Sequence, residues 1–227
     1  MRKFLYLFAA LWIAAAGTVK AAENEIYAVK SVSGGDVIMT LYYDDQRASS
    51  SGVTNWFDWK SEVTKVELDQ SMEDARPTST AMWFFQFNLL KEVVNIEYLN
   101  TVNVTDMISM FEECTSLTSL DLSSFNTANV TDMKNMFSNC TNLKELNLLW
   151  FETGKAESTR CMFENCSMLT TIYCNNRWWN GGELDPAEQF NYGKMFDGCP
   201  FLKGSMGTTC SGMVDTNILS AHPDGDN

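Results

Sequence analysis

The residues with the clearest capacity for chemistry are seven cysteines, four of which recur at one fixed place. Cys114, Cys140, Cys166 and Cys199 each lie three residues after the Phe of a Met-Phe pair. If the protein is exported, its cysteines first suggest disulfides. Cysteines at the same position of stacked sequence repeats would point in parallel, however, which is poor disulfide geometry. We therefore expect these four to be small buried core residues. A zinc site is not expected, because the chain has no CxxC pair.

The other three cysteines fall outside that fixed place. Cys174 stands where the neighbouring repeats have a strand leucine, so it is expected in the core. Cys161 and Cys210 are expected to be the freer thiols. An odd total leaves at least one thiol unpaired, and the sequence leaves open whether any of the seven form disulfides.

Paired carboxylates are the second candidate for chemistry. Asp106 and Asp132 occupy the same position of a repeated Val-Thr-Asp-Met string, and stacking could bring them to the separation that glycosidases use. A Thr-Asp pair that recurs at the start of a helix is also ordinary capping, which is the interpretation we prefer. The single histidine, His222, leaves almost no scope for histidine-based catalysis. We predict neither catalytic residues nor a metal or cofactor.

Composition narrows the range of partners. Asp and Glu number 29 against 16 Lys and Arg, which gives a formal charge of −13. Nucleic acids and anionic membranes are therefore not expected to bind, since phosphate contacts need clustered basic side chains. An apolar run behind Arg2 and Lys3 ends in Val19-Lys20-Ala21, which is typical of a secretory signal peptide over residues 1–22. The protein is then expected at the cell surface, in the periplasm or outside the cell, with no lipid anchor evident and no membrane span.

The elements that position these residues are copies of one unit. Residues 100–125 and 126–151 are identical at 15 of 26 positions. Met-Phe pairs recur at this same period, beginning at Met110, Met136 and Met162, and return at Met195 after a seven-residue insertion. Such a period predicts stacked repeats that bury a shared core.

Each unit carries a Leu-x-x-Leu-x-Leu string, which is typical of the short strand in a leucine-rich repeat. Val104, Met107, Met110 and Phe111 have helical spacing, so the rest of the unit is expected to hold a short helix. The predicted fold is thus α/β: a short, right-handed, leucine-rich-repeat-like solenoid of about four coils, with one short parallel strand and one short helix per coil. It is expected over residues 81–210, between a β-rich N-terminal cap (23–80) and a flexible acidic tail (211–227).

The cap prediction depends on residues 26–44, which alternate around a Ser-Gly-Gly-Asp turn and predict a β-hairpin. Residues 63–68 alternate like a third strand. This part of the sequence has no repeat phase, and an open end of a stack of repeats exposes apolar core that must be covered.

The string NVTDMxxMFxxCxxLxxLDLSSFNT resembles the BspA-type leucine-rich-repeat surface proteins of host-associated bacteria. The resemblance extends upstream through LYYDD and EYLNT and downstream through MFDGCPFLKG. It implies an exported protein that displays its repeats for adhesion or protein contact.

The outward positions of the predicted strands, with two tryptophans in the insertion, are the candidate partner-binding residues. They are Asn95, Glu97, Ser119, Asp121, Ser123, Glu145, Asn147, Leu149, Thr171, Tyr173, Asn175, Trp178 and Trp179. The function expected of them is binding of a host or cell-surface protein or glycan by a monomer. Two alternatives remain: a secreted polysaccharide hydrolase that uses carboxylates, and a purely structural cell-surface protein.

Overall fold

A computed structural model describes residues 24–174 and 194–202. The predicted signal peptide and acidic tail lie outside these residues. So do Asn175, Trp178, Trp179, Cys210 and His222.

The described chain begins with the predicted hairpin. Strands β1 (Glu25–Ser33) and β2 (Asp36–Asp44) pair antiparallel, from Glu25 opposite Asp44 to Ser33 opposite Asp36. Gly34 and Gly35 form the two-residue turn with φ of 61° and 93°, which suits glycine and the right-handed twist of the strands. The hairpin prediction is confirmed.

The hairpin opens a longer sheet. A short helix α1 (Arg47–Ser50) follows it, and β3 (Lys65–Leu68) and β4 (Glu92–Val94) then join in the order β1-β2-β3-β4. Three 3₁₀ turns, Phe57–Trp59, Gln70–Asp74 and Ile96–Tyr98, lie between or after these strands.

The β2–β3 and β3–β4 pairs are parallel, and in both of them paired residues are 27 positions apart in the sequence, one more than the period of the sequence repeat. Ile38 lies opposite Lys65, and Lys65 in turn lies opposite Glu92. The expectation that this region lacks the repeat phase is therefore wrong for β2 and β3. The β3–β4 pairing also crosses the boundary predicted at residue 80.

The repeats supply a second sheet. Strands β5 (Ser119–Asp121), β6 (Glu145–Leu148) and β7 (Thr171–Cys174) pair in parallel, and each residue lies opposite its equivalent in the next sequence repeat. Leu120 lies beside Leu146, and both are buried. The predicted strands and their inward leucines are confirmed for β5 and β6.

The short helix predicted for each coil is absent from the described repeats. Over residues 107–113 alternate backbone N–H groups donate to the following unit instead: Met107 to Asp132 O, Ser109 to Lys134 O and Phe111 to Met136 O, each at 2.9 Å. The next unit repeats these bonds at the equivalent residues, so donors that a helix would use internally hold neighbouring units together. The apolar spacing was consistent with a helix, but a chain of turns places the same side chains inward.

Two residues in each of these turn segments have left-handed backbone, four positions apart. The first set is Met82, Ser109, Asn135, Cys161 and Lys194, and the second is Gln86, Glu113, Asn139, Asn165 and Gly198. Each left-handed residue interrupts a right-handed helix, which needs negative φ at every position. These interruptions explain why the predicted element does not form.

Side chains of one type stack along the core from unit to unit. The rings of Phe84, Phe111, Phe137, Phe163 and Phe196 follow one another with centroids 5.3–5.8 Å apart. The buried residues form a single hydrophobic cluster from Ala28 to Leu202. One core therefore runs beneath both sheets.

Candidate binding surface

The outward positions of β5–β7 form one polar face. Ser119, Asp121 and Glu145 are exposed, whereas the leucines that alternate with them are buried. Parallel pairing puts Asp121 beside Asn147 and Asn147 beside Tyr173, about 4.8 Å apart from strand to strand. Thr171, beside Glu145, is half-buried. We call this surface the β5–β7 face and include Leu149, which follows β6.

Two members of this face also shape the backbone. A side-chain oxygen of Asp121 accepts a bond from the Ser123 N–H at 3.0 Å, and the Asn147 amide oxygen accepts one from Leu149 N–H at 3.2 Å. The hydrogen bonds from Ser123 lower the pKa of the Asp121 carboxyl. Burial raises this pKa, but its effect is smaller. Asp121 and Asn147 thus form the same turn at the ends of their strands.

Apolar groups stand out at one end of the face. The exposed fraction is 47% for Tyr173 and 43% for Leu149. Trp150, which is not among the predicted partner-binding residues, is the most exposed of the three at 67%. The alignment of the repeats could have indicated this exposure, because Trp150 stands where the preceding unit has the polar residue Ser124. Exposed tryptophan and tyrosine side chains are typical of contact surfaces.

The two upstream candidates do not lie on a strand. Asn95 directly follows β4 with φ of 58°, and its Nδ2 donates to Leu68 O. Glu97 lies in the 3₁₀ turn Ile96–Tyr98. Both are exposed, but the prediction that they continue the strand face is wrong.

An extra residue explains this shift. Phe84 stacks on Phe111, whereas Thr101 is the equivalent of Thr127, because the side chain of each threonine accepts from a backbone N–H of the next unit. The interval from Phe84 to Phe111 exceeds that from Thr101 to Thr127 by one position, so the additional residue must lie between 84 and 101. A left-handed Asn95 is the local reversal that absorbs it.

The recurring cysteines occupy a fixed core position, which confirms that prediction. Cys114, Cys140, Cys166 and Cys199 are buried as free thiols. Each Sγ donates to a phenylalanine carbonyl of the preceding unit at 3.0–3.2 Å. Burial raises the pKa of the Cys114, Cys140 and Cys166 thiols.

Cys161 differs from the prediction. It is buried, and burial raises its pKa to about 11, so it is not an accessible thiol. It occupies the left-handed position equivalent to Ser109 and Asn135. Cys174 lies at the end of β7.

The carboxylates of Asp106 and Asp132 accept hydrogen bonds from the backbone. Asp106 Oδ1 accepts from Ile108 N–H and Asp132 Oδ1 from Lys134 N–H, both at 2.9 Å. Ser79 and Ser158 occupy the equivalent positions in the units on either side. Burial, with a contribution from Asp106, raises the pKa of Asp132. The prediction that these residues cap a helix is wrong, because the segment forms turns. Each carboxylate nevertheless accepts a backbone N–H two residues later, as in a turn.

Residues 24–174 and 194–202 contain neither a metal-binding cluster nor a membrane-spanning helix. No set of three or more His, Cys, Asp and Glu side chains in these ranges is arranged to hold a metal ion. No helix there has the length and apolarity needed to cross a bilayer.

Comparison with known protein families gives a match over more than half of the chain. Residues 78–205 match the model of a family described as "Mycoplasma protein of unknown function, DUF285". No curated protein matches the chain, and no solved structure does.

Proposed function

The chain belongs to the family described as Mycoplasma protein of unknown function, DUF285, and on that premise we propose that it is a non-enzymatic interaction module. It binds a protein or glycan of a host or cell surface through the β5–β7 face and the adjoining Trp150. The stacked units are taken to form a short, right-handed, leucine-rich-repeat-like solenoid. Parallel strands joined by long connections support that hand.

The observation that carries the proposal is the exposure of two aromatic side chains, Tyr173 and Trp150, on elements that are attached to a buried core. Tyr173 on β7 is about half exposed, and Trp150 in the turn after β6 is about two-thirds exposed. Leu148 and Phe151, which flank that turn, are buried. Parallel pairing of β6 with β7 fixes the Tyr173 backbone beside Asn147. Aromatic side chains held at fixed positions lose little entropy on binding and commonly dominate contact energies.

Export and surface display are part of the proposal. The apolar N-terminal segment supports secretion. The resemblance to BspA-type surface proteins and the match to the DUF285 family support display for contact with other molecules.

A carboxylate-based hydrolase is the less favoured alternative. Asp106 and Asp132 each use one oxygen to accept a backbone N–H, and Ser79 Oγ donates to the other oxygen of Asp106. A purely structural surface protein is the third possibility, and the binding experiment separates it from the first.

The test is binding of the purified secreted protein to arrays of extracellular-matrix proteins and glycans. The variants are Trp150→Ala and Tyr173→Ala, with Val32→Ala as the control, because Val32 is an exposed apolar residue on the distant hairpin. We expect saturable binding that each aromatic variant weakens about tenfold or more and the control leaves unchanged. Binding that both aromatic variants retain in full would place the contact elsewhere. No binding to any probe would favour the structural role.

A further inference from the structure

The charges on the β5–β7 face are distributed unevenly. Asp121 and Glu145 are exposed, and neither carboxylate is in an ion pair with any residue of the described chain. On the neighbouring sheet, by contrast, Lys65 Nζ lies 3.0 Å from Glu67 and 3.3 Å from Glu92. A basic side chain, Lys144, borders the face where β6 begins. Within the described residues, the two acids on β5 and β6 therefore have no basic side chain paired with them.

These carboxylates lie close to the exposed aromatic side chain. Asp121, Asn147 and Tyr173 form one row across three paired strands, and Glu145 lies two residues before Asn147 on the same side of β6. Strand spacing puts the backbones of Asp121 and Tyr173 about 10 Å apart. A single short segment of a partner could contact all of them.

The combination selects a chemistry. A guanidinium group pairs well with carboxylates and also packs on the face of an aromatic ring. The formal charge of −13 on the whole chain would also attract a basic partner before contact. An uncharged glycan could use Tyr173 but would gain nothing from the long-range field.

We propose that the partner of the β5–β7 face is a cationic polypeptide segment, with Arg or Lys side chains paired to Asp121 and Glu145 and stacked on Tyr173. This inference depends on the proposed function, because it names the class of partner for the same surface. The choice between polypeptide and glycan follows from these two carboxylates, neither of which forms an ion pair within residues 24–174 and 194–202.

Two variants of equal charge test it. Asp121→Asn/Glu145→Gln removes two charges from the face and keeps the turn, since Asn147 forms the same turn in the next unit. Glu73→Gln/Asp74→Asn removes two charges from exposed positions on the 3₁₀ turn Gln70–Asp74. The two proteins then have the same net charge and differ only in where it was lost.

The probe is a nine-residue oligo-arginine peptide, with dextran as a neutral glycan, both titrated by calorimetry at low and physiological salt. We expect the face variant to weaken peptide binding about fivefold and the control variant to leave it nearly unchanged. We also expect Tyr173→Ala to weaken it and dextran not to bind.

Equal peptide affinities for the two charge variants would overturn the inference, because binding would then follow net charge alone. Dextran binding that Tyr173→Ala abolishes would overturn it in favour of a glycan partner while leaving the proposed function intact. If the array and both probes fail to detect any binding, the proposed function fails together with the inference.

Discussion

At the scale of single residues, the recurring cysteine acts as a small hydrogen-bond donor within the core. Cys140 Sγ donates to Phe111 O at 3.1 Å, and Cys114 and Cys166 make the same contact in the units on either side. A thiolate could not donate this bond and would be buried without a cation. Burial disfavours the charged thiolate and is the main cause of the raised pKa values of these thiols.

The raised thiol pKa values predict a loss of stability at alkaline pH. The unfolded chain releases thiol protons above an ordinary pKa of about 8.5, whereas burial keeps Cys114, Cys140 and Cys166 protonated in the folded state. Their contribution is complete below that pH and declines as pH rises towards the folded pKa. Each thiol removes up to about 1.4 kcal/mol of unfolding free energy per pH unit.

Urea unfolding between pH 7 and 10 measures this effect. Cys140→Ala lowers stability at pH 7 because it removes a buried group. The decrease of its unfolding free energy with pH should be less steep, because one of the titrating thiols is missing. An identical slope in the variant and the parent would show that Cys140 does not titrate with folding. The comparison below pH 10 largely avoids Tyr27 and Tyr42, whose raised pKa values add a similar loss only above that pH.

At the scale of elements, sequence periodicity predicted the side chains that face inward better than it predicted the backbone. The leucine strings, the fixed cysteine and the hairpin could be recognised, because burial and tight turns constrain residue type. The short helix was wrong because Met107, Met110 and Phe111 would face one side of either a helix or a chain of turns. Only the left-handed residues distinguish the two, and Gln86 and Glu113 give no such signal.

The phase of β2 and β3 was missed for a related reason. These strands have buried apolar residues at the core positions of the stack, such as Val66 and Leu68, but the residues around them do not match the repeat sequence. Hydrogen bonding between backbones needs only a constant interval, which the pairing of β2 with β3 and of β3 with β4 maintains. Stacking therefore extends further along the chain than recognisable identity does.

The left-handed turn positions make a prediction at Glu113, where φ is 61°. We expect Glu113→Gly to be at least as stable as the parent and Glu113→Val to be less stable than the glycine variant by about 1–2 kcal/mol. Both variants lose the contact with Gln86, so that loss cancels in the difference between them. Thermal and urea unfolding of the pair measure that difference.

The matched control is the same pair at Ser119, an exposed position on β5. There the order should reverse, because valine favours an extended strand and glycine weakens it. Equal stability of the two Glu113 variants would mean that this turn tolerates a β-branched residue and that left-handed backbone does not define the unit.

At the scale of the whole molecule, one hydrophobic cluster joins the hairpin region to the last described unit. Leu68 of β3 and Leu146 of β6 are both buried in it, although they come from different sheets. Parallel pairing connects β2, β3 and β4 across the boundary once expected near residue 80. Repeat stacks of this kind gain stability from contacts between neighbours, so a short stack should unfold as one unit.

A leucine-to-alanine substitution at one end should therefore affect the other. Leu68→Ala and Leu146→Ala should each cost about 2–5 kcal/mol and lower a single unfolding transition seen by circular dichroism and tryptophan fluorescence. Cys166 reports from the far unit, because its buried thiol reacts with a maleimide only after unfolding. Leu68→Ala should raise the Cys166 labelling rate by the factor that its loss of stability implies, as measured by mass spectrometry at low denaturant. A labelling rate unchanged by Leu68→Ala, together with two separate transitions, would mean that the N-terminal region folds as an independent domain.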